Sequence, residues 1–260
     1  MRHQSGKIEK QATSWVIIFV HDKSTKSADA IQRMNYPSAS HGAIIKGVYL
    51  VGSSEITDPG DCSVYLMDLG ELVLIDTGAG MNTDAIIKNI ERLGLDPGKI
   101  STVILTHCHI DHVGGAHEFR RRFGSQVVIH ELDAGAVESG DRVSTGASWY
   151  GVNFAPLPVD VKLVKDEELL YFGAQKVVCL HTPGSISVYL DKEGKRVLFG
   201  QDIHGPFLVE FGADMSHWQT SMEKLLALKA DILCEGHFGV YQPTSKVTEY
   251  IERYLDEYGG

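Results

Sequence analysis

From Ile44 onward, short apolar runs alternate with glycine, aspartate and proline. Ile44 to Val51, Ser63 to Met67 and Leu72 to Ile75 are rich in β-branched and aromatic residues and too short for helices, so they predict strands. The period then changes. Ile86, Ile87, Ile90 and Leu93 share one helical face, with Asn82 or Thr83 placed to cap the helix and Gly94 to end it. Thr102 to Leu105 returns to a buried-strand pattern, followed by a polar loop and a helix through Glu118 and Phe123. Gln126 to Ile129, Val161 to Val164, Lys176 to Leu180 and Arg196 to Phe199 predict further strands. Thr220 and Glu223 have capping-box spacing ahead of Leu225, Leu226 and Leu228. Val247, Ile251 and Leu255 line one face of a C-terminal helix. Many short strands with helices between them predict a sheet-rich α/β layer architecture.

Two segments stand apart. Leu132 to Pro158 has weak periodicity around Trp149, Tyr150 and Phe154, and reads as a long loop of the kind used as a lid. Residues 1–40 are polar around one apolar run, Trp15 to Val20; they predict an N-terminal extension and a candidate homodimer arm, with residues 41–260 as the main domain. The six residues of that run are too few for a bilayer span or the core of an export signal. The expected compartment is therefore the cytoplasm, and no membrane partner is expected.

Composition changes the picture in three respects. At 260 residues and 43% hydrophobic, the chain can bury one large core. Its formal charge of −10 disfavours nucleic acid, and the densest basic cluster, Arg120 to Arg122, predicts a solvated helix face. The four cysteines contain no CxxC pair and predict free thiols. The twelve histidines are the anomaly.

Three of them fall in Thr106-His107-Cys108-His109-Ile110-Asp111-His112-Val113-Gly114-Gly115, directly after a predicted strand. Imidazole and carboxylate together suit zinc, iron, manganese or nickel. In extended backbone His107 and His109 point to one side and Cys108 away, while Asp111 and His112 come from the next turn and can serve a second ion. Further ligand types stand at later strand ends: His181 in His-Thr-Pro-Gly, Asp202 in Phe-Gly-Gln-Asp, and His237 in Glu-Gly-His-Phe-Gly.

This order of motifs, with Leu74-Ile75-Asp76-Thr77-Gly78 before it, resembles the metallo-β-lactamase superfamily from about Ile44 to the C-terminus. The resemblance implies a four-layer αββα sandwich with a dinuclear site at the edge between the sheets. It implies that His107, His109 and His181 hold one divalent ion, that Asp111, His112 and His237 hold the other, and that Asp202 bridges them. Zinc is the first expectation, with iron or manganese as alternatives. Asp76 is either a supporting carboxylate or a turn residue. His204 and Phe207 are candidate substrate-pocket residues, as are Phe211, Met215 and Trp218, with core packing as the alternative for the apolar ones; His41, His117, His130 and His217 show no partner pattern.

Two ions sharing one water bring its pKa near 7, so hydroxide forms at neutral pH and no Ser-His-Asp triad is needed. Asp111 is the candidate catalytic carboxylate, orienting that hydroxide and shuttling a proton. The reading is a metal-dependent hydrolase of a small-molecule thioester, ester or lactone. A mononuclear iron persulfide dioxygenase of the same fold, a phosphodiesterase and a non-catalytic metal-binding protein remain alternatives. Glyoxalase II-like thioesterases of the family continue His-Thr-Pro-Gly with His-Thr, whereas this chain has Ser185-Ile186-Ser187.

Overall fold

The computed structural model describes residues 42–205, 207 and 213–259. The N-terminal extension, its candidate dimer arm, His41 and Phe211 lie outside the described residues. One sheet runs in chain order: β1 (Ala43–Ile45), β2 (Val48–Gly52), β3 (Val64–Asp68), β4 (Leu72–Ile75), β5 (Ile100–Ile104), β6 (Gln126–His130) and β7 (Val161–Leu163). The first four are antiparallel, and β4 to β7 are parallel. The parallel crossovers carry α1 (Thr83–Arg92), α2 (Ile110–Val113), α3 (Ala116–Phe123) and α4 (Glu131–Ser139). The second sheet has the order β13-β12-β11-β10-β9-β8. Its strands are β8 (Glu167–Phe172), β9 (Gln175–Thr182), β10 (Ser185–Lys192), β11 (Lys195–Gln201), β12 (Ile232–Glu235) and β13 (Val240–Tyr241); α5 (Met215–Ala227) and α6 (Thr244–Tyr258) complete the chain.

Alternation along the strands produces the layers. Leu72 and Leu74 of β4 pack with Ile86, Ile90 and Phe119 under the first helices, while Val73 and Ile75 face Val177, Val188 and Phe199 of the other sheet. In β11 and β12 the sense is repeated: Val197, Phe199, Ile232 and Cys234 fill the space between the sheets, and Leu198 and Leu233 pack beneath α5 and α6. Each strand needs an apolar layer on both sides, and the solution is helix, sheet, sheet, helix. The αββα sandwich expected from the sequence is the fold observed.

Four local expectations are corrected. Ile44 to Val51 is two strands, because the chain turns at Lys46-Gly47, where Gly47 has φ of 81°. The capping box at Thr220 does not form: Asp214 caps α5 one and a half turns earlier, accepting from Ser216 N at 2.9 Å and His217 N at 3.2 Å, and Thr220 lies inside the helix. Asn82 stands at the start of α1 without a side-chain cap and donates instead to Thr57 O. The Leu132 to Pro158 segment begins within α4 and then packs inward through Ala147, Phe154 and Leu157, with Thr145 O accepting from Ile110 N at 2.8 Å.

The carboxyl ends of parallel strands are where α/β sheets place ligand sites. Here β5 ends into the His107 loop, and the parallel pair β11 and β12 ends at Asp202 and at Gly236-His237.

Candidate metal centre

Three loops bring their polar atoms together. Asp202 Oδ1 lies 3.4 Å from His112 Nε2 and 3.3 Å from His237 Nε2. Asp111 Oδ2 lies 3.6 Å and 3.4 Å from the same two nitrogens. Donors around a tetrahedral zinc ion, with bonds of about 2.0–2.2 Å, stand about 3.3–3.6 Å apart. Four neighbouring donor pairs therefore already have the spacing of a coordination shell. Beside them, His107 Nε2 is 3.0 Å from His109 Nδ1 and 3.7 Å from Asp202 Oδ2.

The residues fit a cation on a second count. His112 Nε2 and Asp202 Oδ1 are buried and have no hydrogen-bond partner among the described residues. Leaving such atoms unsatisfied costs about 1–3 kcal/mol each, and a divalent ion satisfies both. The local field points the same way. Burial opposes charge on His112, yet Cys62, Asp202, Asp111 and Asp76 hold its pKa well above the usual imidazole range. Burial likewise opposes charge on His237, but Asp202 and Asp111 push it up to about 9. Asp202, despite burial, is held well below the carboxylate range by His112 and His237. His107, buried and beside His112, is held well below its ordinary value. A neutral imidazole facing carboxylates that demand positive charge is a metal-binding pattern.

Behind the donors stands a rigid frame. Asp76, with φ of 60° and no exposure, ends β4 and accepts from Thr106 N, Thr106 Oγ1 and His112 Nδ1, each at 2.8 Å, and from Gln201 Nε2. It fixes the His112 ring with Nε2 aimed at the other donors, so Asp76 is a supporting carboxylate rather than a turn residue. Glu235, fully buried, accepts from His237 N at 2.6 Å and Phe238 N at 2.7 Å, and pairs with His204 Nδ1 at 2.6 Å. The Asp202 and His237 loops are thereby tied together. Gly114 and Gly115 let α2 approach the turn after β4: a Cβ would lie 2.2 Å from Ala79 O in the first case and 2.4 Å from Thr77 O in the second.

The remaining candidates fall elsewhere. His181 is not brought to the cluster; its ring stacks on His130 at 3.9 Å between centroids, and its Nδ1 is 3.9 Å from Asp166. His204 is occupied by Glu235. Phe207 packs on Trp218 and Tyr258, in the core beneath α5 and α6 with Met215. Cys108 turns away from the donors toward Ser144 O, as alternation predicts. All four cysteines are free thiols. Arg120 pairs with Asp160, Arg121 with Glu118, and Arg122 with Glu118 and Asp84, so this cluster offers no free basic face. Gln201 and Glu235 were not singled out in the sequence, although both adjoin ligand motifs.

The chain is similar to known proteins in sequence and in fold. The chain is 24% identical over 202 residues to "Probable metallo-hydrolase YybB" of Bacillus subtilis, covering 74% of this chain and 87% of that protein. It is 22% identical over 233 residues to the human "Acyl-coenzyme A thioesterase MBLAC2", covering 78% and 82%. A metallo-β-lactamase structure from Cronobacter sakazakii, described by a HARLDQ motif, superposes with a TM-score of 0.71 at 20% identity over 84% of this chain and 92% of that one, a likeness of fold. The family profile described as the metallo-β-lactamase superfamily matches residues 57–237. By that match the chain belongs to the metallo-β-lactamase superfamily.

Proposed function

We propose that the protein is a hydrolase of small-molecule thioesters, esters or lactones, working with two adjacent divalent ions, zinc first. His107, His109, Asp111, His112, Asp202 and His237 would hold them, with Asp202 between the two. The observation that carries the reading is the ring of His112, His237, Asp111 and Asp202 donors at coordination spacing, two of whose atoms are buried without partners. When bound, such ions supply a water of lowered pKa and a Lewis acid for the substrate carbonyl.

The chain's own groups do the positioning. Asp76 holds His112 in the tautomer that leaves Nε2 free to ligate. The carboxylate of Asp111 can orient an attacking water and pass its proton to the leaving group. A thioester is favoured among the substrates because a relative named an acyl-coenzyme A thioesterase aligns over 78% of the chain. A small-molecule partner also suits a chain whose Arg120 to Arg122 cluster is internally paired, and no helix among the described residues is long and apolar enough to cross a membrane. Four free thiols fit a reducing compartment such as the cytoplasm.

A panel of acyl thioesters, lactones and phosphodiesters, assayed with zinc-loaded and chelated protein, tests the reading. Zinc-dependent release of thiol from an acyl thioester is expected. Turnover restricted to phosphodiesters, or one iron per chain with oxygen uptake on persulfides, would overturn it.

A further inference from the structure

The expected ligand set treats the two ion sites as equals, each with three residues of its own and a shared aspartate. The structure divides them unequally. Asp111, His112, His237 and Asp202 supply four donors, with neighbouring pairs 3.3–3.6 Å apart. The other side has His107 and His109, 3.0 Å apart, and the second oxygen of Asp202 at 3.7 Å from His107. The third imidazole expected there, His181, stacks on His130 instead.

Sheet order explains why. His181 lies at the end of β9, on the face that Val177 and Cys179 turn toward the first sheet. β9 is one strand further out than β10, as β6 is one strand further out than β5. The end of β9 therefore stands over the end of β6, where His130 follows Val128 on the inward face, and not over the His107 loop that leaves β5. It is β10 that reaches that loop: Ile186 N donates to Thr106 O at 2.8 Å, and Ser185 Oγ to the same oxygen at 3.3 Å. Thr182 pairs directly with Ser185 across a two-residue turn, so the hairpin leaves no slack by which His181 reaches inward. A stacked ring at 10° between planes, with its backbone N–H bonded to Asp166 O at 2.8 Å, is a fixed position.

We infer that the two ion sites have unequal affinity: the Asp111–His112–His237–Asp202 site fills first and tightly, the His107–His109 site binds a second ion weakly, and His181 is not a ligand. This rests on the metal-dependent reading above and refines it. Loss of a contact that merely supports a ligand costs about 10- to 100-fold in affinity, so a missing donor should weaken the second site by at least about tenfold.

Zinc titration of the full-length protein against a chromophoric chelator, with native mass spectrometry for stoichiometry, reads this without any substrate. One tight and one weaker zinc are expected, with His107→Ala losing only the weaker and His237→Ala the tighter. His181→Ala should keep both. His181→Phe preserves the stacking surface without a donor, so it separates ligation from folding. Two zincs of equal affinity, or loss of one in folded His181→Phe, would overturn the inequality while leaving the hydrolase reading intact. A protein that binds no zinc would overturn both.

Discussion

Replacing Asp76 by asparagine tests whether the buried frame behind the donors sets their affinity for metal. The backbone at Asp76 has φ of 60°, which asparagine tolerates, so the substitution changes chemistry and not conformation. In the wild-type protein Oδ2 accepts from His112 Nδ1 and Thr106 Oγ1 at 2.8 Å and from Gln201 Nε2, while Oδ1 accepts from Thr106 N. With the amide oxygen retained at the Thr106 N–H, the new NH₂ faces those three groups as a donor. Thr106 relieves its contact by rotating its hydroxyl. His112 relieves its own only by moving the ring proton from Nδ1 to Nε2, the atom that faces Asp111 and Asp202. Ligation through Nε2 must then return the proton to Nδ1, where it faces a donor instead of a carboxylate oxygen. Changing the partner behind a ligating histidine costs about 10- to 100-fold in metal affinity, or about 1.4–2.7 kcal/mol. The Gln201 amide answers by turning its otherwise unpartnered Oε1 to the new NH₂, so the substitution leaves no additional buried group unpaired there. Chelator competition should show the weakened zinc binding. A folded Asp76→Asn protein with unchanged zinc affinity would refute the argument.

The other expectations follow the same geometry. Asp111→Asn should reduce kcat by about 10²–10⁴-fold, the range for a positioned acid–base group, and weaken only the tighter zinc, while Asp202→Asn should weaken both zincs as well as activity; kcat and zinc stoichiometry measured together separate them. Glu235→Gln breaks the buried pair with His204 and one support of the His237 loop, so urea unfolding should show a loss of about 3 kcal/mol, the lower end for a disrupted buried pair. Asp61 is pushed up to about 6, chiefly by burial. The folded state therefore binds that proton more tightly than the unfolded state does. Its contribution favours folding below about pH 4 and is lost as pH rises toward 6, by about 2–3 kcal/mol at most. Urea titrations of metal-free wild type and Asp61→Asn across this window should show a flatter profile for the variant.

Much of the fold was legible because alternation and helical periodicity are local. Leu72 to Ile75 reads as a strand buried on both faces, and Val247, Ile251 and Leu255 mark the buried side of α6. Most of the candidate centre was legible for a similar reason: a strand end followed at once by His107, His109, Asp111 and His112 leaves few alternatives. What could not be read was sheet order. His181 has the same sequence setting as Asp202 and His237, a polar residue ending an apolar strand, and only the position of β9 outside β10 sends it to His130. Glu235 and Gln201 escaped notice because a glutamate or glutamine beside a ligand motif is ordinarily solvated; their burial depends on the packing of β11 against β12. Asp214 displaced the Thr220 cap because both spacings are acceptable locally and the extra helical turn buries Trp218.

Anomalous scattering at the zinc edge from crystals of the zinc-loaded protein tests the central claim most directly. The account predicts a strong peak bounded by His112 Nε2, His237 Nε2, Asp111 and Asp202, with any second, weaker peak beside His107 and His109. A principal peak coordinated by His181, or none among these residues, would contradict it.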